Sequence, residues 1–276
     1  MRTIVFRFDV DTHVGAIEGV PRLLALADRL DVRFTFFVNM GRAVSYRHVL
    51  GRLVNRSSRD ATAPKLSNWT KLGGAAYVRT ILLNQAVGTA IPEVLAEAAR
   101  GGHDIGLHGG RNHGAWQADA ARWTKARVLD ELSYGIERFT TAVGTSPESF
   151  SSPGWTQPPG LGGLLHDFGF VLVADRHGPG DVIVENPVPG VKAVSTNLTG
   201  EPAGVGYVET MASRGVTTSR LGQVFANDVE PYERAVVYDH PAFAGRAALG
   251  AVETLVETAR ARGFRWITMR QMAEGS

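Results

Sequence analysis

Alternation opens the chain. In Thr3-Ile4-Val5-Phe6-Arg7-Phe8-Asp9-Val10-Asp11-Thr12, Ile4, Phe6 and Phe8 take every second position of a β-rich run, the period of a strand. After a glycine-containing loop the period lengthens. Leucines recur at helical spacing from Gly19 to Leu30, and Pro21 suits a first helical turn. Arg33 to Val38 is then a mostly apolar second strand, as expected when both faces are covered. Such a β-α-β opening predicts a parallel sheet with right-handed crossovers.

The two periods continue along the chain. Pro92 to Arg100 reads as a helix closed by Gly101-Gly102, and His103 to His108 as a short strand ending in histidine. Ala121 to Val143 is a long helix with Val128, Leu132, Ile136 and Phe139 on one side. Ser149 to Ser152 is a strand that stops at Pro153-Gly154-Trp155. Leu161 to Phe168 is a helix, and Phe170 to Ala174 a strand leading to Asp175. Ala235 to Tyr238 is a strand running into Asp239-His240. A helix from Ala247 to Arg262, a strand from Arg265 to Thr268 and a helical turn from Met269 to Ala273 close the chain.

Two stretches interrupt this order. Residues 41 to 91 read as an insertion: basic and partly helical from Arg42 to Arg59, turn-rich from Pro64 to Gly74, amphipathic from Tyr77 to Val87. A lid or packing excursion is the plain role for it, and contact with a membrane surface the sharper one. Residues 178 to 232 are rich in glycine and proline and read as mostly loop, with short strands near Val191 to Val194. No internal repeat and no interdomain linker is visible, so 1–276 is expected to be a single domain.

Composition narrows the chemistry. With 276 residues, 44% hydrophobic and 20% charged, the chain is of ordinary globular type. It has no cysteine, which excludes disulfides, thiolate zinc sites and cysteine nucleophiles and leaves any metal to histidine and carboxylate ligands. A net charge of +2 is too mild to argue for nucleic acid. No apolar run reaches the length of a membrane span, and the chain opens on a strand instead of a signal peptide. The expected location is the cytoplasm, with peripheral contact at the inner membrane as the sharper variant.

Polar groups gather where predicted strands give way to loops: Asp9 and Asp11, His108, Ser151-Ser152, Asp175 and His240. In an α/β barrel the active site is built at that rim. Asp9 and Asp11, two apart, share a face, and two carboxylates that close repel unless a proton or cation lies between them. The plain alternative is a turn-capping Asp11 and a solvated Asp9. Asp11, His108 and His113 offer one carboxylate and two imidazoles to a divalent ion such as zinc. On a helix, five residues would separate the two histidines by roughly 140°. They can therefore share an ion only from a loop, which Gly109-Gly110 favours. The serine-hydrolase elbow, the His-Glu-x-x-His zinc motif, the phosphate loop and the dinucleotide fingerprint are all missing.

The order Asp-x-Asp, paired histidines, Pro-Gly, a strand-end aspartate and His240 resembles the polysaccharide deacetylase family (the NodB-homology, carbohydrate esterase family 4 group). Arg7 to Thr12, Glu18 to Leu24, Gly106-Leu107-His108 and Ala115-Trp116-Gln117 are similar to its branch that deformylates 4-deoxy-4-formamido-L-arabinose-phosphoundecaprenol. The resemblance implies a distorted (β/α) barrel of about seven strands. It also implies a divalent metal, zinc foremost with cobalt, nickel or manganese as alternatives, and removal of an N-formyl or N-acetyl group from an amino sugar, lipid-linked in that branch. Carried over by position, Asp9 is the general base, Asp11, His108 and His113 hold the metal, and His240 is the general acid. Asp175 orients His240 or Asp9, and Trp116, Pro153, Gly154, Trp155 and Arg176 meet the substrate. Two departures stand out. The family has three residues between its metal histidines where this chain has four, putting Asn112 in the expected place and His113 one beyond. The arginine that opens the third family motif and orients the base is absent from Phe150-Ser151-Ser152-Pro153-Gly154-Trp155, so that either Arg111 or Arg176 substitutes or nothing does. The competing readings are a deacetylase of a soluble glycan or secondary-metabolite sugar, and a degenerate glycan-binding member without turnover.

Overall fold

Strand β1 (Thr3–Val10) is buried along its whole length, and its alternation sorts two cores. Ile4, Phe6, Phe8 and Val10 face the larger core, which the helices cover. The rings of Phe6 and Phe34 stack at 5.9 Å and those of Phe8 and Phe36 at 5.5 Å. Val5 turns the other way, into a smaller cluster with Val194, Val236, Ile267 and Met269. Arg7 and Asp9 follow Val5 at the strand period, so two charged side chains enter the inner face of the sheet.

The computed structural model describes residues 1–48, 83–200 and 204–275. Most of the expected insertion, and with it the stretch proposed to face a membrane, lies outside these. Strands β2 (Thr35–Val38), β3 (Asp104–His108), β4 (Ser149–Ser151), β5 (Leu172–His177), β6 (Val184–Val188), β7 (Val191–Thr196), β8 (Arg234–Asp239) and β9 (Arg265–Trp266) complete one sheet. Its order is β6-β7-β5-β4-β3-β2-β1-β8, with β9 beside the start of β1. From β7 to β8 the path is seven strands, all parallel, the number expected of the barrel. β6 adds an antiparallel edge. The sheet curls until the chain just beyond β7 meets β8 through a parallel bridge between Leu198 and Val237.

The main α-helices among the described residues, apart from the single turn Pro241–Ala244, are α1 (Val20–Leu30), α2 (Pro92–Arg100), α3 (His113–Asp119), α4 (Lys125–Val143), α5 (Leu161–Asp167), α6 (Tyr207–Ser213), α7 (Thr218–Val229), α8 (Leu249–Ala261) and α9 (Met269–Glu274). None of those described is long and apolar enough to cross a membrane. α4 starts later than its sequence pattern suggests. Thr124 caps it by accepting from the Arg127 amide, and a 3₁₀ turn precedes it. The short strand expected near Val191 to Val194 is β7, but the expectation of loop through the rest of 178–232 is corrected: β6, α6 and α7 occupy much of it. Leu221, Phe225 and Val229 form the buried stripe of α7, which Gly222 within the helix obscures.

Candidate active site

Asp9, Asp11, His108 and His240 meet at the C-terminal ends of β1, β3 and β8. β3 ends in His108, and α3 begins at His113 after a four-residue loop. Asp11 Oδ1 lies 3.2 Å from His108 Nε2 and 3.3 Å from His113 Nε2. The His108 Nδ1–H donates to the Ser151 carbonyl at 2.9 Å, since that oxygen can only accept. In the neutral ring, Nε2 therefore offers its lone pair toward Asp11.

Lone pairs facing a carboxylate oxygen require a cation or a proton between them. Asp11 Oδ1 and His113 Nε2 are both buried and have no hydrogen-bond partner among the described residues. Tetrahedral zinc with bonds of about 2.0–2.1 Å holds neighbouring ligand atoms roughly 3.3 Å apart, the spacing seen here. A divalent ion thus fits the donor set. With none present, burial works against charge on His108, but the Asp9 and Asp11 carboxylates outweigh it and raise its pKa. Burial likewise works against an ionised Asp11, yet His113, His108 and His240 hold its carboxyl well below the usual range.

Asn112, the residue at the family spacing, turns away from Asp11. Its side-chain oxygen caps α3 by accepting from the Ala115 amide at 2.9 Å, and its amide donates to the Val44 carbonyl at 2.9 Å. Starting α3 at His113 directs that imidazole toward Asp11.

Asp9, the expected base, has a partner that was not among the expected site residues. Arg7 is fully buried and grips Asp9 two-pronged, Nε to Oδ1 at 2.9 Å and Nη2 to Oδ2 at 2.8 Å. Its other hydrogens go to the Ala174 carbonyl at 2.6 Å, Thr196 and the Ser151 hydroxyl. The Trp155 ring covers the guanidinium at 4.3 Å. Neither candidate arginine substitutes: Arg111 pairs with Asp130, and Arg176 with Glu185. The signal was present, because Arg7 and Asp9 are two apart on one strand and so share a face.

Asp175 orients neither His240 nor Asp9. Its carboxylate accepts from the Ser152 amide at 2.5 Å and the Ser152 hydroxyl at 2.7 Å, fastening the end of β4 to β5. Glu209 on α6 holds His240 instead, with Oε1 3.3 Å from Nδ1. On its other edge His240 Nε2 meets the Tyr238 hydroxyl at 2.9 Å and Asp11 Oδ2 at 3.4 Å. Burial lowers the His240 pKa, but Asp11 and Glu209 between them raise it well above the ordinary value. Asp239 fixes this arrangement by accepting from the Val208 amide at 2.6 Å and the His240 amide at 2.9 Å. Nothing in the sequence singled out Glu209, which sits in the stretch read as loop.

Trp116 does not face a groove. It is completely buried, rests edge-on to Trp123 and donates to the Thr156 carbonyl. Pro153 is buried too, and with Gly154 it forms the turn that delivers Trp155, which has a positive φ of 60°. That is a costly conformation for an aromatic residue, of the kind concentrated at functional sites. Trp155, Asp175, Arg176 and His177 line a cavity of about 300 Å³ beside Arg7.

The polysaccharide deacetylase profile matches residues 2–172, well over half of the chain. The chain belongs to the polysaccharide deacetylase family. It is 28% identical over 177 residues to a protein of Shewanella sediminis (strain HAW-EB3) named a probable 4-deoxy-4-formamido-L-arabinose-phosphoundecaprenol deformylase, ArnD. That match covers 62% of this chain and 56% of the relative, little more than half its length. Two solved structures share the deacetylase fold. The probable polysaccharide deacetylase of Pseudomonas aeruginosa PAO1 matches with a TM-score of 0.62 at 14% identity, over 99% of this chain and 89% of that one. The chitin deacetylase of Colletotrichum lindemuthianum matches with a TM-score of 0.56 at 15% identity, over 98% and 86%.

Proposed function

We propose that this deacetylase-family protein is a metal-dependent hydrolase that removes an N-formyl or N-acetyl group from an amino sugar. The observation that carries this is the flanking of one Asp-His-His set by two differently held groups. A carboxylate, Asp9, is gripped by an arginine, and an imidazole, His240, is held between carboxylates. A base and an acid on either side of a cation pocket are what amide hydrolysis needs, whereas a glycan binder needs neither.

Asp11, His108 and His113 would hold the ion, which supplies polarisation of the acyl carbonyl and a water made more acidic. Asp9 takes the proton from the attacking water, and the bidentate grip of Arg7 keeps both oxygens aimed. His240, drawn toward its protonated form by Asp11 and Glu209, gives a proton to the sugar nitrogen as the C–N bond breaks. The products are a carboxylic acid and a free amino sugar. Trp155 offers an aromatic face to the sugar ring at the mouth of the neighbouring cavity. The relative from Shewanella supports formyl as the acyl group and a lipid-linked sugar as its carrier.

Two substitutions test the division of roles. Asp9→Asn should keep bound zinc while lowering kcat by about 10²–10⁴. Asp11→Asn should lose the zinc itself. Equal metal content in the two variants would contradict the assignment.

A further inference from the structure

The loop from Gly109 to Asn112 carries one residue more than the family spacing, yet it is held firmly on two sides. On one side the backbone of residues 41–43 runs alongside it: the Arg42 amide donates to the Arg111 carbonyl at 2.9 Å, and the His113 amide to the Arg42 carbonyl at 2.8 Å. On the other side stands Glu131, in the middle of α4. Its side chain is 1% exposed although it is a carboxylate, and it accepts from the Arg111 amide at 2.6 Å while pairing with Arg127. A Cβ on Gly110 would collide with the same carboxylate oxygen and lie 2.6 Å from the Glu131 carbonyl.

Burying a carboxylate is costly unless hydrogen bonds and a counter-charge offset it. Packing α4 against the sheet does not require one, since Val128, Leu132 and Phe139 already supply the apolar stripe. The bond that Glu131 makes to the Arg111 amide lies two residues before His113. We infer that Glu131 is a positioning residue for the metal centre, a latch on the lengthened loop that keeps His113 aimed at Asp11. The inference rests on the metal reading of Asp11, His108 and His113. Groups that orient a ligand from outside the coordination sphere are typically worth 10–100-fold in metal affinity.

The test is competition of the 276-residue chain against a chromophoric chelator for zinc, together with the visible spectrum of the cobalt-loaded protein. Glu131→Leu leaves the Arg111 amide without its acceptor, and Gly110→Ala pushes the loop off the carboxylate. Each should weaken zinc binding about 10–100-fold and alter the cobalt spectrum, with the circular dichroism of the fold retained. Glu131→Gln keeps an acceptor oxygen and should stay within about threefold of the parent protein. If Glu131→Leu does not fold, Gly110→Ala decides. A folded Glu131→Leu or Gly110→Ala protein with parental zinc affinity and an unchanged cobalt spectrum overturns the latch. Failure of the parent protein to bind zinc or cobalt overturns the metal reading, and the latch with it.

Discussion

Replacing Arg7 with methionine keeps most of the side-chain volume and removes every polar contact it makes. Asp9 is 3% exposed, so it would be left as a buried carboxylate with His108 Nε2, at 3.7 Å, as its remaining ion-pair partner among the described residues. The Ala174 carbonyl would lose its donor as well. Breaking a buried ion pair by deleting one partner costs about 3–5 kcal/mol, most of it from the stranded charge. For a chain of this size such a loss lowers Tm by on the order of 10 °C. Because the stranded charge dominates, removing it should restore much of the stability. The double variant Arg7→Met, Asp9→Asn is therefore expected to be more stable than Arg7→Met alone, with a coupling of roughly 2–3 kcal/mol between the two sites. Urea unfolding of the parent, both single variants and the double variant, followed by tryptophan fluorescence, measures that coupling. Additive effects within about 0.5 kcal/mol would show that Arg7 does not hold Asp9, and the account of how Asp9 is positioned would fall.

Two further outcomes are expected. His113→Ala should lose zinc and activity together, whereas Asn112→Ala should keep its zinc and lose about 1 kcal/mol of stability through the missing helix cap, both read from metal content and thermal melting. His103 lies outside the site and accepts the Phe34 amide; burial and the nearby Arg33 push its pKa down to about 4. The unfolded chain therefore takes up this proton first. The stability that neutral His103 contributes is complete above about pH 6.5 and is lost as pH falls toward 4. Between pH 7 and 4.5 the parent protein should lose of order 1–2 kcal/mol more than His103→Asn in urea titrations, after allowing for solvent screening.

The strand-end residues show how far the sequence alone reaches. A period of two places Asp9 and Asp11 on one face, and glycines after β3 make a loop, so the convergence of Asp11, His108 and His113 could be read from local rules. Arg7 obeyed the same rule, but the family pattern drew attention to β4, where the arginine usually lies. Glu209 and Asp175 belong to a different class. Which loop meets which is decided by how the sheet curls, and no local period encodes that Glu209 faces His240 or that Asp175 faces Ser152. Trp116 failed for a related reason: an indole that packs in a core and one that offers a sugar a platform look alike in sequence. Gly222 hid α7 because a glycine inside a helical stripe weakens its period without preventing burial of Leu221, Phe225 and Val229.

Metal dependence is most directly tested by titrating the stripped protein with zinc while following acid release from an N-formyl and an N-acetyl amino sugar. Release of formate or acetate should appear only as zinc is added and should saturate with the first ion per chain, the one that Asp11, His108 and His113 would hold, and not with a second ion at the other group of possible ligands, Glu209, Asp239 and His240. Full turnover after exhaustive chelation, or a chain that binds no zinc, would contradict it.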